Sequence, residues 1–281
     1  MTAPQNPITR AIWDGTLPIK FSLDGTEAAE LGAKILVEPY FIEAPRCSYF
    51  PLLTSQIRKY FVDMALNFIG DDAEIWYDVD GIPLKWHYPI GLLFDLHTGY
   101  RPDSNSPPPL PWPVTVHFKN FPLDKLIRAQ AIDATQDFFM SMIKEADFLR
   151  NGSTKKVMNL SKNDQTQLWD GLWSSSSQKY RTENYDRFWS VNYRLVINDG
   201  QSPRHIPLRI YLPDNCNPLT LGEVLHQILP DLFPSSLPTE NAFAAPVIHG
   251  VIPQLNIPII WASQNLCYPD NFLHIVVLLG T

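Results

Sequence analysis

Residues 53–68, LTSQIRKYFVDMALNF, put Leu53, Ile57, Tyr60, Phe61, Met64 and Phe68 three or four positions apart. That spacing lays apolar side chains along one face of a helix. Thr54 or Ser55 offers a side-chain cap for its start. Before the helix, LPIKFSL (17–23) and KILVEPYFI (34–42) have strand composition and are separated by the turn-rich DGTEAAELG, so they read as a hairpin with a long loop. After it, EIWYDV (74–79) and VTVHFKNF (114–121) return to strand character, with GIPLKWHYPIGLLFDL between them. The proline-rich RPDSNSPPPLPWP lacks too many N–H groups for a helix or a central strand. Two strands, a helix and two strands make the ββαββ order of a β-grasp, or ubiquitin-like, domain.

The end of the chain repeats that logic. IPLRIYL (206–212) alternates apolar and polar residues as a half-buried strand does, and Thr220 with Glu223 forms a capping box ahead of an apolar stripe from Leu221 to Leu232. VIHGVIP, IPIIWA and FLHIVVLL (272–279) read as strands, the last buried on both faces. Only PDNCNPL separates IPLRIYL from the Thr220 helix, so either NYRLVI supplies the missing hairpin partner or the second sheet is reduced. Between the two strand-rich parts, residues 124–150, QTQLWDGLW and YDRFWSVNYRLV carry helical periodicity, broken at NGSTKK and SSSSQKYRTE. QNPITRAIWD (5–14) adds a short N-terminal helix closed by Gly15. The expected architecture is α+β: an N-terminal helix (1–15), a first ubiquitin-like domain (16–121), a helix-rich domain (122–197) and a second ubiquitin-like domain (198–281).

Composition narrows the function. Acidic residues outnumber basic ones, giving a net charge of −7 over 281 residues, and no basic run is interleaved with aromatics, so nucleic acid is not an expected partner. No stretch has the length and apolarity of a membrane span or the pattern of an export signal. Cys47, Cys216 and Cys267 are odd in number and widely spaced, which suits a reducing compartment and provides no zinc motif. There is no H-E-x-x-H, P-loop, G-x-S-x-G or dinucleotide fingerprint, so neither metal nor cofactor is implied. Cys267 with His274 is the nearest approach to a nucleophile pair, and the better reading is a structural thiol beside a packed histidine.

FFMSMIKEADFLR (138–150) raises a different question. At about 100° per residue, Phe139, Met142, Ile143, Ala146 and Leu149 share one face, while Asp137, Ser141, Lys144 and Phe148 gather on the other. Lys144 points to water, and Phe148 is an apolar ring stranded on a polar face. For an exposed lysine taken alone, simple solvation is the default.

LKWHYPIGLLFDL, PWPVTVHFKNFP, FFMSMIKEADFLR, LWDGLW, DRFWSVNYRLV, IPLRIY, LTLGEVL, VIHGV and YPDNFLHI occur in this order over nearly the whole chain. The set resembles the autophagy protein 5 family, with a fungal cast. The resemblance implies a non-enzymatic scaffold: two ubiquitin-like domains around a helix-rich one. One lysine, within M-x-x-M-K-E-A-D, is joined by an isopeptide bond to the C-terminal glycine of autophagy protein 12. Here the motif is MSMIKEAD, so the role falls on Lys144, with Ile143 replacing a methionine. The resemblance further implies conjugating enzymes of the autophagy system as partners, and an N-terminal helix of autophagy protein 16. The assembled complex promotes transfer of autophagy protein 8 to phosphatidylethanolamine, which places the protein in the cytoplasm and peripherally on the pre-autophagosomal membrane. The chain closes on LLGT without a flexible glycine-terminated tail, so it is expected to receive a modifier and not to serve as one. Candidate partner-binding residues are Ile8, Ile12 and Trp13 with Trp86 and Tyr88, as an apolar seam for an amphipathic helix, and Phe148. Two rival readings stay open: a helix-binding adaptor without covalent chemistry, and a thiol hydrolase using Cys267.

Overall fold

The computed structural model describes residues 6–30, 37–64, 73–103, 106–128, 132–173, 181–197, 204–211, 244–254, 257 and 259–279. The first sheet contains β1 (Thr16–Leu23), β2 (Tyr40–Pro45), β3 (Trp76–Val79), β4 (Ile82–Pro83) and β5 (Trp112–His117) in the order β2-β1-β5-β3-β4. β1 and β5 run parallel at its centre, and β2 and β3 flank them antiparallel. The helix expected across this sheet is α3 (Phe50–Met64), whose Phe50, Leu53, Ile57 and Phe61 are buried against Ile19, Phe21, Trp112 and Val116. This is the β-grasp arrangement.

Two local readings are corrected, and one helix had no reading. Helix α3 starts at Phe50, ahead of the residues assigned as caps, and Thr54 lies inside it: its hydroxyl is 3.0 Å from the Phe50 carbonyl and 2.9 Å from the Tyr77 hydroxyl. The stretch taken as a loop holds α2 (Gly25–Glu30), where Asp24 accepts hydrogen bonds from the N–H groups of Thr26 and Glu27. The Asp-Gly-Thr turn signal was a helix cap. Residues 90–98 form α4 (Ile90–Thr98), closed by Gly99 at φ 57°. Ile90, Leu93 and Phe94 enter the first core, while Leu92 packs against Tyr268 and Val276 of the second domain. A helix buried all round shows no one-sided stripe, which is why its sequence has no amphipathic period.

The middle of the chain is helical: α5 (Ile132–Asn151), α6 (Lys155–Met158), α7 (Lys162–Trp173) and α8 (Arg181–Val196). Phe139, Ile143, Leu168, Trp169, Leu172, Phe188 and Leu195 are among the side chains of their shared core. α7 and α8 meet at Gly171, where an added Cβ would stand 3.0 Å from the Phe188 Cβ and 3.2 Å from the Asn184 carbonyl oxygen. In an exposed helix, Gly→Ala stabilises by about 1 kcal/mol. At this crossing overpacking reverses the sign, and Gly171→Ala is expected to destabilise by about 1–3 kcal/mol, measured as a lower urea midpoint at unchanged m value.

In the second domain, β6 (Leu208–Tyr211) and β7 (Ala244–Val247) flank β8 (Leu273–Leu279), β6 parallel to it and β7 antiparallel. Among the described residues this sheet has three strands, in the same relation as β1, β5 and β3 of the first. NYRLV belongs to α8 and does not pair with β6, so the hairpin-partner alternative is overturned. IPIIWA, expected as a strand, contributes to α9 (Ile259–Asn265). Short apolar runs do not separate strand from helix, and a proline just ahead suits a helix start. The expected Thr220–Leu232 helix lies outside the described residues.

Two devices join the parts. Helix α1 (Pro7–Asp14) is capped by the Asn6 side chain, which accepts from the Ile8 N–H at 3.0 Å. Its Trp13 packs 5.0 Å from Phe188, its Thr9 hydroxyl is 2.8 Å from that of Tyr185, and Ile8 and Ile12 pack with Ile248, Ala262 and Leu266 of the second domain. The second device is Arg46, which follows β2 and whose Nη2 lies 2.6 Å from both carboxylate oxygens of Asp95 on α4. Its guanidinium also abuts Gly250 in the turn after β7.

Candidate functional site

Helix α5 presents the face expected for it. Phe139, Met142, Ile143 and Ala146 are buried, and Asp137, Ser141, Lys144 and Phe148 are exposed. The inner face is held from two sides. Phe139 meets Trp169 and Tyr49 at centroid distances of 5.9 and 6.4 Å, while Met142 and Ala146 pack on Phe272 of the second domain. Arg150, also buried, donates from Nη2 to the Asn271 carbonyl at 3.3 Å.

Lys144 makes no hydrogen bond or ion pair with any described residue. The reason lies in its neighbours. Positions three and four away face the same way on a helix. Here they are Met140, Ser141, Asp147 and Phe148, and the one carboxylate among them is turned inward. Asp147 accepts from the Val157 N–H at 3.2 Å and from Asn151 Nδ2 at 2.7 Å. The adjacent Glu145 is taken by Arg209 of β6 at 3.1 Å, whose guanidinium also lies 4.6 Å over the Phe272 ring. Both acids of the K-E-A-D stretch therefore anchor the helix and leave the amine untied. Sequence spacing showed which face was wet and did not show that Asp147 and Arg150 turn inward.

The other candidate residues divide between separate environments. Trp13 is 4% exposed in the helical core, and Ile8 and Ile12 are half-buried against the second domain. Trp86 donates from Nε1 to the Ile127 carbonyl at 3.0 Å and meets Phe138 edge-on, while Tyr88 packs 5.5 Å from Tyr211. Trp13 lies in the helical core, whereas the contacts of Trp86 and Tyr88 are with Phe138, Ile127 and Tyr211. Phe148 is 56% exposed.

Cys267 and His274 do not form a nucleophile pair. Burial pushes the Cys267 thiol up to about 11, away from the thiolate that nucleophilic attack needs. The His274 ring has both nitrogens engaged elsewhere, Nε2 at 2.8 Å from the Asp270 carboxylate and Nδ1 at 3.0 Å from the Tyr211 hydroxyl. Asp24, Glu27 and His117 offer a cluster of metal-type ligands in the first domain, with their ligand atoms within 4.8 Å of one another. Asp24 is occupied as the α2 cap and Glu27 accepts from the Phe118 and Lys119 N–H groups, so the cluster reads as structural.

Two histidines make stability depend on pH. Burial pushes His249 down to about 3 and His87 down to about 4. Both stay neutral in the folded chain while an unfolded histidine protonates below about 6.5. Their contribution is therefore complete above that pH and is lost on acidification towards 4 and 3, by about 2 kcal/mol for the pair between pH 7 and 5.5. His249→Asn, which tolerates the native φ of 53° at this position, should halve that loss in urea titrations at the two pH values.

A family model for the UblA domain of autophagy protein ATG5 matches residues 12–118, one for its alpha-helical bundle region matches 132–198, and one for its UblB domain matches 205–277. The chain belongs to the autophagy protein 5 family. Autophagy protein 5 of Penicillium rubens is 32% identical over 318 residues, covering 96% of each chain. Autophagy protein 5 of Drosophila melanogaster is 34% identical over 284 residues, covering 98% of each, so the relatives extend beyond fungi. The crystal structure of Kluyveromyces marxianus Atg5 shares the fold, with a TM-score of 0.70 at 19% identity over 96% of this chain and 98% of that one. As in the autophagy protein 5 family models, two ubiquitin-like domains flank a helical bundle region. No helix among the described residues is long and apolar enough to cross a membrane.

Proposed function

We propose that this member of the autophagy protein 5 family acts as a conjugation acceptor, with Lys144 joined by an isopeptide bond to the C-terminal glycine of autophagy protein 12. One observation carries the reading: a lysine on a packed helix stands exposed with both acids of its K-E-A-D stretch, Glu145 and Asp147, engaged elsewhere. The chemistry is acyl transfer. The deprotonated amine attacks the thioester carbonyl of the modifier on its conjugating enzyme, the C–N bond forms, the C–S bond breaks, and the thiol leaves with the proton. A lysine amine in water is almost wholly protonated at neutral pH, so the conjugating enzyme has to remove that proton. This chain supplies position, not an active site.

In the same reading, autophagy protein 16 binds through its N-terminal helix. The assembly promotes ligation of autophagy protein 8 to phosphatidylethanolamine, working from the cytoplasm at the pre-autophagosomal membrane. The working segments are those expected from sequence: 1–15, 16–121, 122–197 and 198–281.

Incubation with autophagy protein 12, its activating and conjugating enzymes and ATP, followed by peptide mapping, tests the assignment. The expected product is a single adduct on Lys144. Linkage at another lysine overturns the acceptor assignment, and no adduct at all leaves the noncovalent adaptor in its place.

A further inference from the structure

Phe148 is the exposed apolar side chain one turn beyond Lys144, and the family motif around the lysine does not include it. We propose that Phe148 is a positioning residue for conjugation: its ring is the footing on which the tail of the incoming modifier lies as the terminal glycine reaches Lys144. This rests on the acceptor reading of Lys144.

The argument is one of available surface. Whatever brings a carboxyl to the Lys144 amine has to lay the preceding residues across the neighbouring helix positions. Asp147 is buried, Met140 is half-buried, and the Ser141 hydroxyl donates to the Asp137 carbonyl at 2.8 Å. Phe148 offers the one exposed apolar contact among the four, and its ring has no aromatic or cation–π partner among the described residues. Helical side chains lean towards the N-terminus, which carries the ring back towards Lys144. One helical turn is about 5.4 Å, and an extended chain covers that in about two residues. The ring therefore meets the side chains just upstream of the linked glycine. Contact there buries apolar surface and thins the water around the amine, both of which favour attack on a thioester.

The test is the initial conjugation rate at limiting acceptor, with the conjugating enzyme pre-charged with autophagy protein 12, for the wild-type chain, Phe148→Ala and Phe148→Leu. Phe148→Ala is expected to slow transfer by about tenfold, Phe148→Leu to restore most of it, and Lys144 to remain the linked residue in all three. Thermal unfolding should change little, since the ring is 56% exposed and belongs to none of the buried core clusters among the described residues, whereas a merely structural ring would lower the midpoint. Transfer by Phe148→Ala at the wild-type rate onto Lys144 overturns this inference and leaves the acceptor reading standing. Linkage mapped to another lysine in the wild-type chain overturns both. An alanine variant that conjugates normally but loses binding to phosphatidylethanolamine-containing vesicles assigns the ring to a lipid surface and also overturns the inference.

Discussion

Lys144→Arg yields a folded chain that accepts no modifier. Arginine keeps the positive charge and nearly the length of lysine, and its guanidinium stays protonated under any condition in which the enzymes work, so it has no lone pair to attack a thioester. Lys144 is exposed and makes no hydrogen bond or ion pair with the described residues, so the substitution removes none, and the change in folding stability should stay within about 0.5 kcal/mol. The expected result is loss of the conjugate below detection by intact mass, with an unchanged unfolding midpoint and undiminished capture of the autophagy protein 16 helix. The last two measurements separate loss of the nucleophile from loss of the fold. A conjugate forming at normal yield would remove Lys144 from the proposal.

Asp95→Ala should be among the most damaging single changes to stability. Arg46 and Asp95 have side-chain exposures of 11% and 4%, with Nη2 held 2.6 Å from both carboxylate oxygens. Truncating the acid strands a buried guanidinium without its counter-charge, a change that costs about 3–5 kcal/mol. The consequence is not local. The Arg46 N–H donates to the Gly15 carbonyl at the end of α1, its carbonyl accepts from the Gly91 N–H of α4, and its guanidinium faces Gly250 of the second domain. For a chain of this size, the midpoint of thermal unfolding should fall by about 10 °C. Arg46→Met combined with Asp95→Leu should recover much of the loss, because an apolar pair of similar volume leaves no charge stranded. A double variant as unstable as Asp95→Ala would mean that shape at this junction, not charge balance, is what matters.

Gly250 shows the same dependence on distant neighbours. At φ 77° it sits in left-handed backbone, and an added Cβ would stand 2.9 Å from Arg46 Nη2. Nothing in VIHGVIP announces the second constraint, because the arginine comes from a position about two hundred residues earlier in the chain.

What could be read without coordinates follows from local periodicity. The apolar repeat from Leu53 to Phe61 marks a helix, the composition of IPLRIYL marks a strand, although β6 is half-buried at every position, and the angular sorting of residues 137–149 puts Lys144 and Phe148 on the wet face; the Phe68 end of the repeat lies outside the described residues. These are properties of one element against water, and a periodic pattern encodes them directly. The elements that escaped were those with no such contrast. α4 is apolar all round because it lies between two domains, and α9 is too short and apolar for its period to distinguish helix from strand.

The candidate site divides along the same line. That Lys144 faces outward was legible in its own helix, as was the presence of Glu145 and Asp147 beside it. That both acids are spent elsewhere, one on Arg209 of β6 and the other on the Val157 N–H, was decided by packing between segments distant or turned aside in the chain. So were the different neighbours of two candidate tryptophans, Trp13 in the helical core and Trp86 against Phe138. By itself, the sequence of this protein determined which side of helices α3 and α5 meets water, because that preference needs no partner beyond solvent. Only the tertiary structure decided which polar groups remain unclaimed, because a hydrogen bond or ion pair depends on what the rest of the fold brings within about 3 Å.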